Sequence, residues 1–94
     1  MQLLFNIPGP LREFTTNQSN LHIDVPPGSD LRAALHSLFA VCPGLRDRIL
    51  TESGELRRHV NIFVGKEDVR YLGGLTTPVL AGAEVSIVPA ISGG

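Results

Sequence analysis

The sequence predicts an α+β fold in which one mixed β-sheet packs against one main helix. Apolar residues alternate with a period of two near both ends of the chain, and a single long apolar stripe at helical spacing lies between them. Clusters of proline and glycine separate these segments. The predicted order is β-β-α-β-β-β in 94 residues, a length that suits one domain.

The first two predicted strands form a hairpin. Apolar residues alternate over 3–7 and again over 21–25, the period of a half-buried strand. Proline and glycine at 8–10 and 26–28 end the two strands, and a polar loop around 15–20 joins them.

A helix is predicted to follow, capped by Ser29 or Asp30, since both side chains accept hydrogen bonds from a first helical turn. Its apolar stripe runs to Cys42, and Pro43 opposes continuation. We interpret Cys42 as a core residue because nothing near it in sequence would lower the pKa of a thiol. Apolar residues over 45–50 predict a short second helical piece that starts near Pro43.

The second half of the chain is predicted to hold three strands, at 60–64, 67–70 and 84–89. Gly65-Lys66 suits a type II′ hairpin turn, residues 71–78 are irregular with room for one helical turn, and 81–83 form a turn. This order is that of a β-grasp fold, with the first and last strands parallel neighbours in mid-sheet. The predicted core comprises Leu3, Phe5, Ile23, Val25, Leu31, Leu35, Leu38, Val60, Ile62, Val85 and Ile87.

Composition narrows the classes of function. The net charge of −1 favours neither nucleic acid nor an anionic membrane as a partner. The amino terminus lacks the pattern of a signal peptide, and no apolar run approaches the length of a membrane span. Cys42 is the only cysteine, which fits a reducing compartment. We therefore expect a cytoplasmic protein with no membrane or nucleic-acid partner.

The chain ends in a segment with a distinct character, Ala90-Ile91-Ser92-Gly93-Gly94. We divide the sequence into a folded domain, 1–89, and a flexible tail, 90–94. Glycine has no Cβ, so Gly93 and Gly94 make a thread thin enough to enter a narrow channel. The reactive group on that thread is the α-carboxylate of Gly94. The hypothesis is that the protein presents this carboxylate to enzymes; the alternative is an ordinary frayed terminus.

No other set of residues predicts chemistry. His22, His36 and His59 lack the spacing of metal ligands, and a single cysteine argues against a structural zinc site. Gly73-Gly74 has neither the lysine nor the strand-to-helix junction of a phosphate-binding loop. We expect no catalytic residue, no metal site and no bound cofactor.

Several segments match a known family in register: His59–Val64, Glu67–Arg70, Gly73–Leu75, Glu84–Ala90 and Gly93-Gly94. On these residues the sequence resembles the ThiS/MoaD family of ubiquitin-like sulfur-carrier proteins, most closely the branch that delivers sulfur in cysteine biosynthesis. Over the first half of the chain, the resemblance rests on element order alone. Two turns depart from the family pattern, at Gly65 and at Ala81-Gly82-Ala83, and these departures bear on partner choice.

The resemblance implies a role for the tail. An adenylating enzyme would activate the Gly94 carboxylate with ATP and magnesium, and a sulfur donor would displace AMP to leave a thiocarboxylate. A second enzyme, such as a cysteine synthase, would accept the sulfur; molybdopterin and thiamine pathways are the related options. Gly93 would keep the terminus thin enough to enter a narrow channel. Ser92, Ile91 and Ala90 would provide the length that brings Gly94 to an enzyme's active site.

Two other functions use the same fold. A ubiquitin-like modifier would join Gly94 to a lysine of a target protein after the same activation. A plain β-grasp binding module would have a passive tail. The sequence leaves the choice open, because carrier and modifier need the same terminus.

Alternation also predicts a surface for binding partners. Leu4, Phe63 and Val88 should point away from the helix, onto the open face of the sheet. In the β-grasp order their strands are neighbours, which predicts one exposed apolar patch beside the root of the tail. An exposed apolar cluster commonly marks a binding site, here one that docks the adenylating enzyme.

Overall fold

Five strands form a single mixed sheet in the computed structural model of the protein, which describes residues 1–89. The strands are β1 (Gln2–Asn6), β2 (Asn20–Asp24), β3 (Val60–Val64), β4 (Glu67–Asp68) and β5 (Glu84–Pro89). Their order across the sheet is β2-β1-β5-β3-β4. β1 and β5 are parallel, whereas the other neighbours are antiparallel. The predicted adjacency of the first and last strands is confirmed.

The main helix, α1, covers Leu31–Val41. Of the two candidate caps, Asp30 holds the position: its carboxylate accepts a hydrogen bond from the Ala33 amide at 2.9 Å. The Ser29 hydroxyl instead donates to the Pro26 carbonyl at 2.6 Å. In residues 1–89 no helix has the length and apolar character needed to cross a membrane.

A second helical piece follows α1 as predicted. A 3-10 turn over Pro43–Leu45 leads into α2 (Arg46–Ile49). Leu45, Ile49 and Leu50 are buried. This segment therefore closes the core beyond the end of α1.

The core lies between α1 and one face of the sheet. Every predicted core residue is buried, and the cluster also takes in Ile7, Leu11, Phe39, Val69 and Val79. Cys42 belongs to the same cluster, and burial raises the pKa of its thiol. A thiol held in the protonated form is a poor nucleophile, which agrees with the interpretation of Cys42 as a core residue.

The β3–β4 turn is confirmed at Gly65, whose φ of +62° suits the first central position of a type II′ turn. The predicted strand at 67–70 is wrong in its second half. The Asp68 carboxylate accepts a hydrogen bond from the Arg70 amide at 2.9 Å and caps a 3-10 helix, Val69–Tyr71. That turn directs Val69 into the core, so the strand ends at Asp68.

The connection between β1 and β2 is more ordered than predicted. A 3-10 helix covers Gly9–Thr15, and within it Leu11 and Thr15 are buried. The Thr15 hydroxyl donates to the Gln18 carbonyl at 2.7 Å, which satisfies the buried oxygen. The helix packs near the Pro43–Leu45 turn, beside the end of β5.

Candidate functional site

The root of the tail is the end of a central strand. β5 pairs with β1 on one side and with β3 on the other, and Pro89 lies opposite Val60. Val85 and Ile87 anchor β5 in the core. The predicted roles of Ala90, Ile91, Ser92, Gly93 and Gly94 fall outside the described residues and stay predictions. The structure does describe the fixed point from which they start.

Leu4, Phe63 and Val88 lie on the sheet face opposite α1, since their strand neighbours Phe5, Ile62 and Ile87 are buried. Leu4 and Phe63 are half-buried, whereas Val88 is 43% exposed. Tyr71, in the loop that follows β4, does not cover this face, since Tyr71 is itself 87% exposed. The face is therefore open, though only Val88 of the three is strongly exposed.

The three residues do not form the single continuous patch that alternation predicted. Phe63 lies opposite Ser86, so Phe63 and Val88 are diagonal neighbours about 7–8 Å apart. Leu4 lies beside Glu84, further back along β5.

A polar group separates Leu4 from the other two. The Asn6 amide donates to the Glu84 carboxylate at 2.6 Å and to the Ser86 hydroxyl at 3.0 Å. Alternation assigns residues to a face, but the register between strands decides which of them touch. Phe63 and Val88 remain a pair beside the tail root, and their role in partner binding stays a prediction.

A second feature at the tail root was missed by sequence reasoning. A cleft of about 330 Å³, called the root cleft below, opens where β5 ends. It is lined by Pro10, Leu11, Glu13, Phe14, Arg48, His59, Val60 and Pro89. Three consecutive basic residues, Arg57-Arg58-His59, lie at this cleft, and no sequence motif assigns them a role. The signal available was that this basic triplet directly precedes Val60, the residue that pairs with Pro89.

Within residues 1–89 no three histidine, cysteine, aspartate or glutamate side chains gather closely enough to hold a metal ion. The described part of the chain offers surfaces for docking: an open sheet face and a cleft, both next to the point where the tail begins.

Comparisons with known proteins agree with this architecture. The sequence is 38% identical over 96 residues to the sulfur carrier protein CysO of Mycobacterium tuberculosis, and the alignment covers 100% of both chains. It is 33% identical over 89 residues to small archaeal modifier protein 3 of Haloferax volcanii, covering 89% of this chain and 96% of that one.

A chain in the crystal structure of the BexX/CysO complex from Amycolatopsis orientalis superimposes on this one with a TM-score of 0.88. The two chains are 29% identical, and the match covers 98% of this chain and 99% of the other. This likeness confirms the predicted ubiquitin-like β-grasp fold. The family model described as the ThiS family matches residues 5–94. The chain belongs to the ThiS family, as the residues from His59 onward predicted.

Proposed function

We propose that this protein is a sulfur carrier that holds sulfur as a thiocarboxylate at Gly94. The observation that carries the proposal is the full-length similarity to a relative named as a sulfur carrier protein. In this chain the aligned sequence ends in Gly93-Gly94, and Ala90-Ile91-Ser92 joins that pair to the central strand β5. The protein is thus a substrate of enzymes rather than a catalyst.

The chemistry follows from the poor reactivity of a carboxylate. An adenylating enzyme, using ATP and magnesium, joins the Gly94 carboxylate oxygen to the α-phosphate and releases pyrophosphate. Sulfur supplied by a donor at the oxidation level of sulfide then attacks the acyl carbon, so that a C–S bond forms as the C–O bond to AMP breaks. The resulting thiocarboxylate carries nucleophilic sulfur without free sulfide, and a biosynthetic enzyme accepts it.

The folded domain determines where the tail starts. β5 pairs with β1 over Glu84–Ser86 and with β3 as far as Pro89, so the sheet fixes the point from which the tail starts. Five extended residues span at most about 17 Å, enough to enter a buried active site. The enzyme must therefore dock close to Pro89 before it can reach Gly94.

Two partners are implied: the adenylating enzyme and a sulfur-accepting enzyme of the cysteine-synthase kind. The CysO of Amycolatopsis orientalis has been solved in complex with BexX, which supports docking of the intact domain on a partner protein. We assign the protein to cysteine biosynthesis first, with molybdopterin and thiamine pathways as the related options. We place it in the cytoplasm, where ATP is available and Cys42 stays reduced.

A second candidate function is protein modification through Gly94. The similarity to small archaeal modifier protein 3 favours it. The two functions differ in the bond that Gly94 finally makes, which is a C–S bond in the carrier and an isopeptide bond to lysine in the modifier.

The test is intact-mass analysis of the protein isolated from its host. A carrier is expected to show the mass gain that replaces one oxygen by sulfur, and fragmentation should place that gain at Gly94. The variant that lacks Gly93 and Gly94, isolated in parallel, should show no gain. Isopeptide adducts in the lysate, with an unmodified free pool, would identify a modifier instead.

A substitution on the open face tests how the domain docks. Phe63→Ala is expected to weaken binding to the adenylating enzyme by about 1–3 kcal/mol, as loss of an interface anchor does. Calorimetric titration measures the change, and a melting curve verifies that the variant is folded.

Val41→Ala provides the matched control, because Val41 ends α1 on the other side of the sheet and is 62% exposed. Leu4→Ala adds a second comparison, since Glu84 and Ser86 separate Leu4 from Phe63. Unchanged affinity for a folded Phe63→Ala would place the docking surface elsewhere.

A further inference from the structure

We infer that the root cleft is a docking site for an acidic segment of the adenylating enzyme, with one apolar side chain of that segment in the cleft. The inference rests on the proposed function, because that function requires an enzyme to approach Gly94. Its own basis is the charge, shape and rigidity of the cleft.

The charge around the cleft is positive in a protein whose net charge is −1. Arg48 and His59 line both the root cleft and a smaller adjoining pocket of about 190 Å³, which Arg57 and Asp47 complete. Asp47 forms an ion pair with Arg46 at 2.9 Å.

Because Asp47 is paired with Arg46, Glu13 is the remaining carboxylate of the cleft lining. Three arginines outnumber it: Arg48 and Arg57 of the two linings, and Arg58, which is next in sequence. A concentration of like charge at one end of a nearly neutral protein attracts an oppositely charged surface. An acidic segment is therefore the complementary partner.

The basic segment is held in place by hydrogen bonds. The Arg57 amide donates to the Ile49 carbonyl at 3.0 Å, and the Arg57 Nε donates to the Asp47 carbonyl at 2.7 Å. From the other side, the Arg70 guanidinium donates to the carbonyls of Arg57 and Arg58 at 2.9 and 3.2 Å. The backbone of this segment is thus ordered before a partner arrives, which lowers the entropic cost of binding.

Contacts of the Phe14 ring fix the shape of the apolar part of the cleft. The Arg48 guanidinium lies 5.2 Å from the centre of the Phe14 ring, a cation–π contact that positions both side chains. A Cβ on Gly44 would lie 2.6 Å from the Phe14 ring, so glycine leaves room for the ring.

The volume of the cleft indicates what fits. At about 330 Å³ it lies at the low end of ligand pockets, which span roughly 300–1,000 Å³. The lining is apolar at Leu11, Val60 and Pro89. These properties suit one apolar side chain of a protein segment, flanked by carboxylates that meet the arginines.

The location links the cleft to the tail. Pro89, the last residue of β5, forms part of the cleft wall. A partner seated here holds the first residue of the tail at a fixed distance from its own active site. Phe63 and Val88 lie on the neighbouring open face, so the two surfaces together surround the tail root.

The test reverses single charges and measures association with the adenylating enzyme by stopped flow or surface plasmon resonance. Arg48→Glu is expected to slow association about tenfold at low salt, because electrostatic steering of the partner is lost. High salt should reduce the difference in association rate between the variant and the wild type. Arg58→Glu, at an exposed side chain, should act in the same direction without disturbing Phe14.

Lys66→Glu is the control, since it changes the net charge equally. Lys66 is exposed in the β3–β4 turn, at the end of β5 opposite to Pro89. The Lys66→Glu variant should associate with the adenylating enzyme at the wild-type rate. If Arg48→Glu and Arg58→Glu also bind like Lys66→Glu, the docking site is overturned.

Two further readouts separate the possible failures. AMP transfer to the wild type, with no effect of either reversal, overturns the docking site alone; no AMP transfer to the wild type overturns the proposed function and this inference with it. NMR spectra of the free protein with and without residues 90–94 should agree at Phe14 and His59. Large shifts there would show that the protein's own tail occupies the cleft, which would overturn the docking site.

Discussion

Deleting Gly93 and Gly94 is expected to abolish adenylation by the cognate enzyme. The deletion moves the α-carboxylate to Ser92, which shortens the reach from Pro89 and places a side chain where the channel admits glycine. The melting temperature should stay nearly unchanged, because the described core is built from residues that the deletion leaves in place. Transfer of labelled AMP and a thermal melt measure the two effects.

Ser92→Ala is the matched control for this deletion, since it alters the tail but keeps its length and both glycines. We expect it to accept AMP at nearly the wild-type rate. Retained AMP transfer in the truncated protein would contradict the carrier mechanism, whereas a large drop in melting temperature would show that the tail has a structural role.

Leu38→Ala is expected to lower the free energy of unfolding by about 2–5 kcal/mol. Leu38 is fully buried on the apolar stripe of α1, where the helix packs against the sheet. Alanine leaves a cavity there, and the rigid sheet limits how far the surroundings relax. Urea denaturation monitored by circular dichroism measures the loss.

His36→Ala is the control on the same helix, because His36 is exposed. Its effect should stay within about 0.5 kcal/mol, as for most surface substitutions. A loss for Leu38→Ala no larger than that of the control would mean that the packing face of α1 is assigned wrongly.

Local periodicity was enough to predict much of this fold. The two-residue period assigned Leu3, Phe5, Ile62 and Ile87 to the buried face, because strand side chains alternate by geometry. The helical stripe and a cap at Ser29 or Asp30 were predicted for similar local reasons, and Asp30 holds the cap. The β-grasp topology followed from the element order, and the family followed from motifs after His59.

The tertiary structure decided what depends on contacts between distant segments. Strand register placed Glu84 and Ser86 between Leu4 and Phe63, and a slip of one residue would have changed every neighbour on that face. The buried position of Val69 ended β4 early despite a strand-like sequence.

The root cleft depends on tertiary structure in the same way. It brings together Phe14, Arg48, His59 and Pro89, which lie in four different segments of the chain. The sequence by itself determined the fold class, the buried faces and the family, since short-range periodicity and motifs encode them. Only the pairing of β5 with both β1 and β3, and the packing of the 3-10 helix Gly9–Thr15 beside it, decided which side chains surround the tail root.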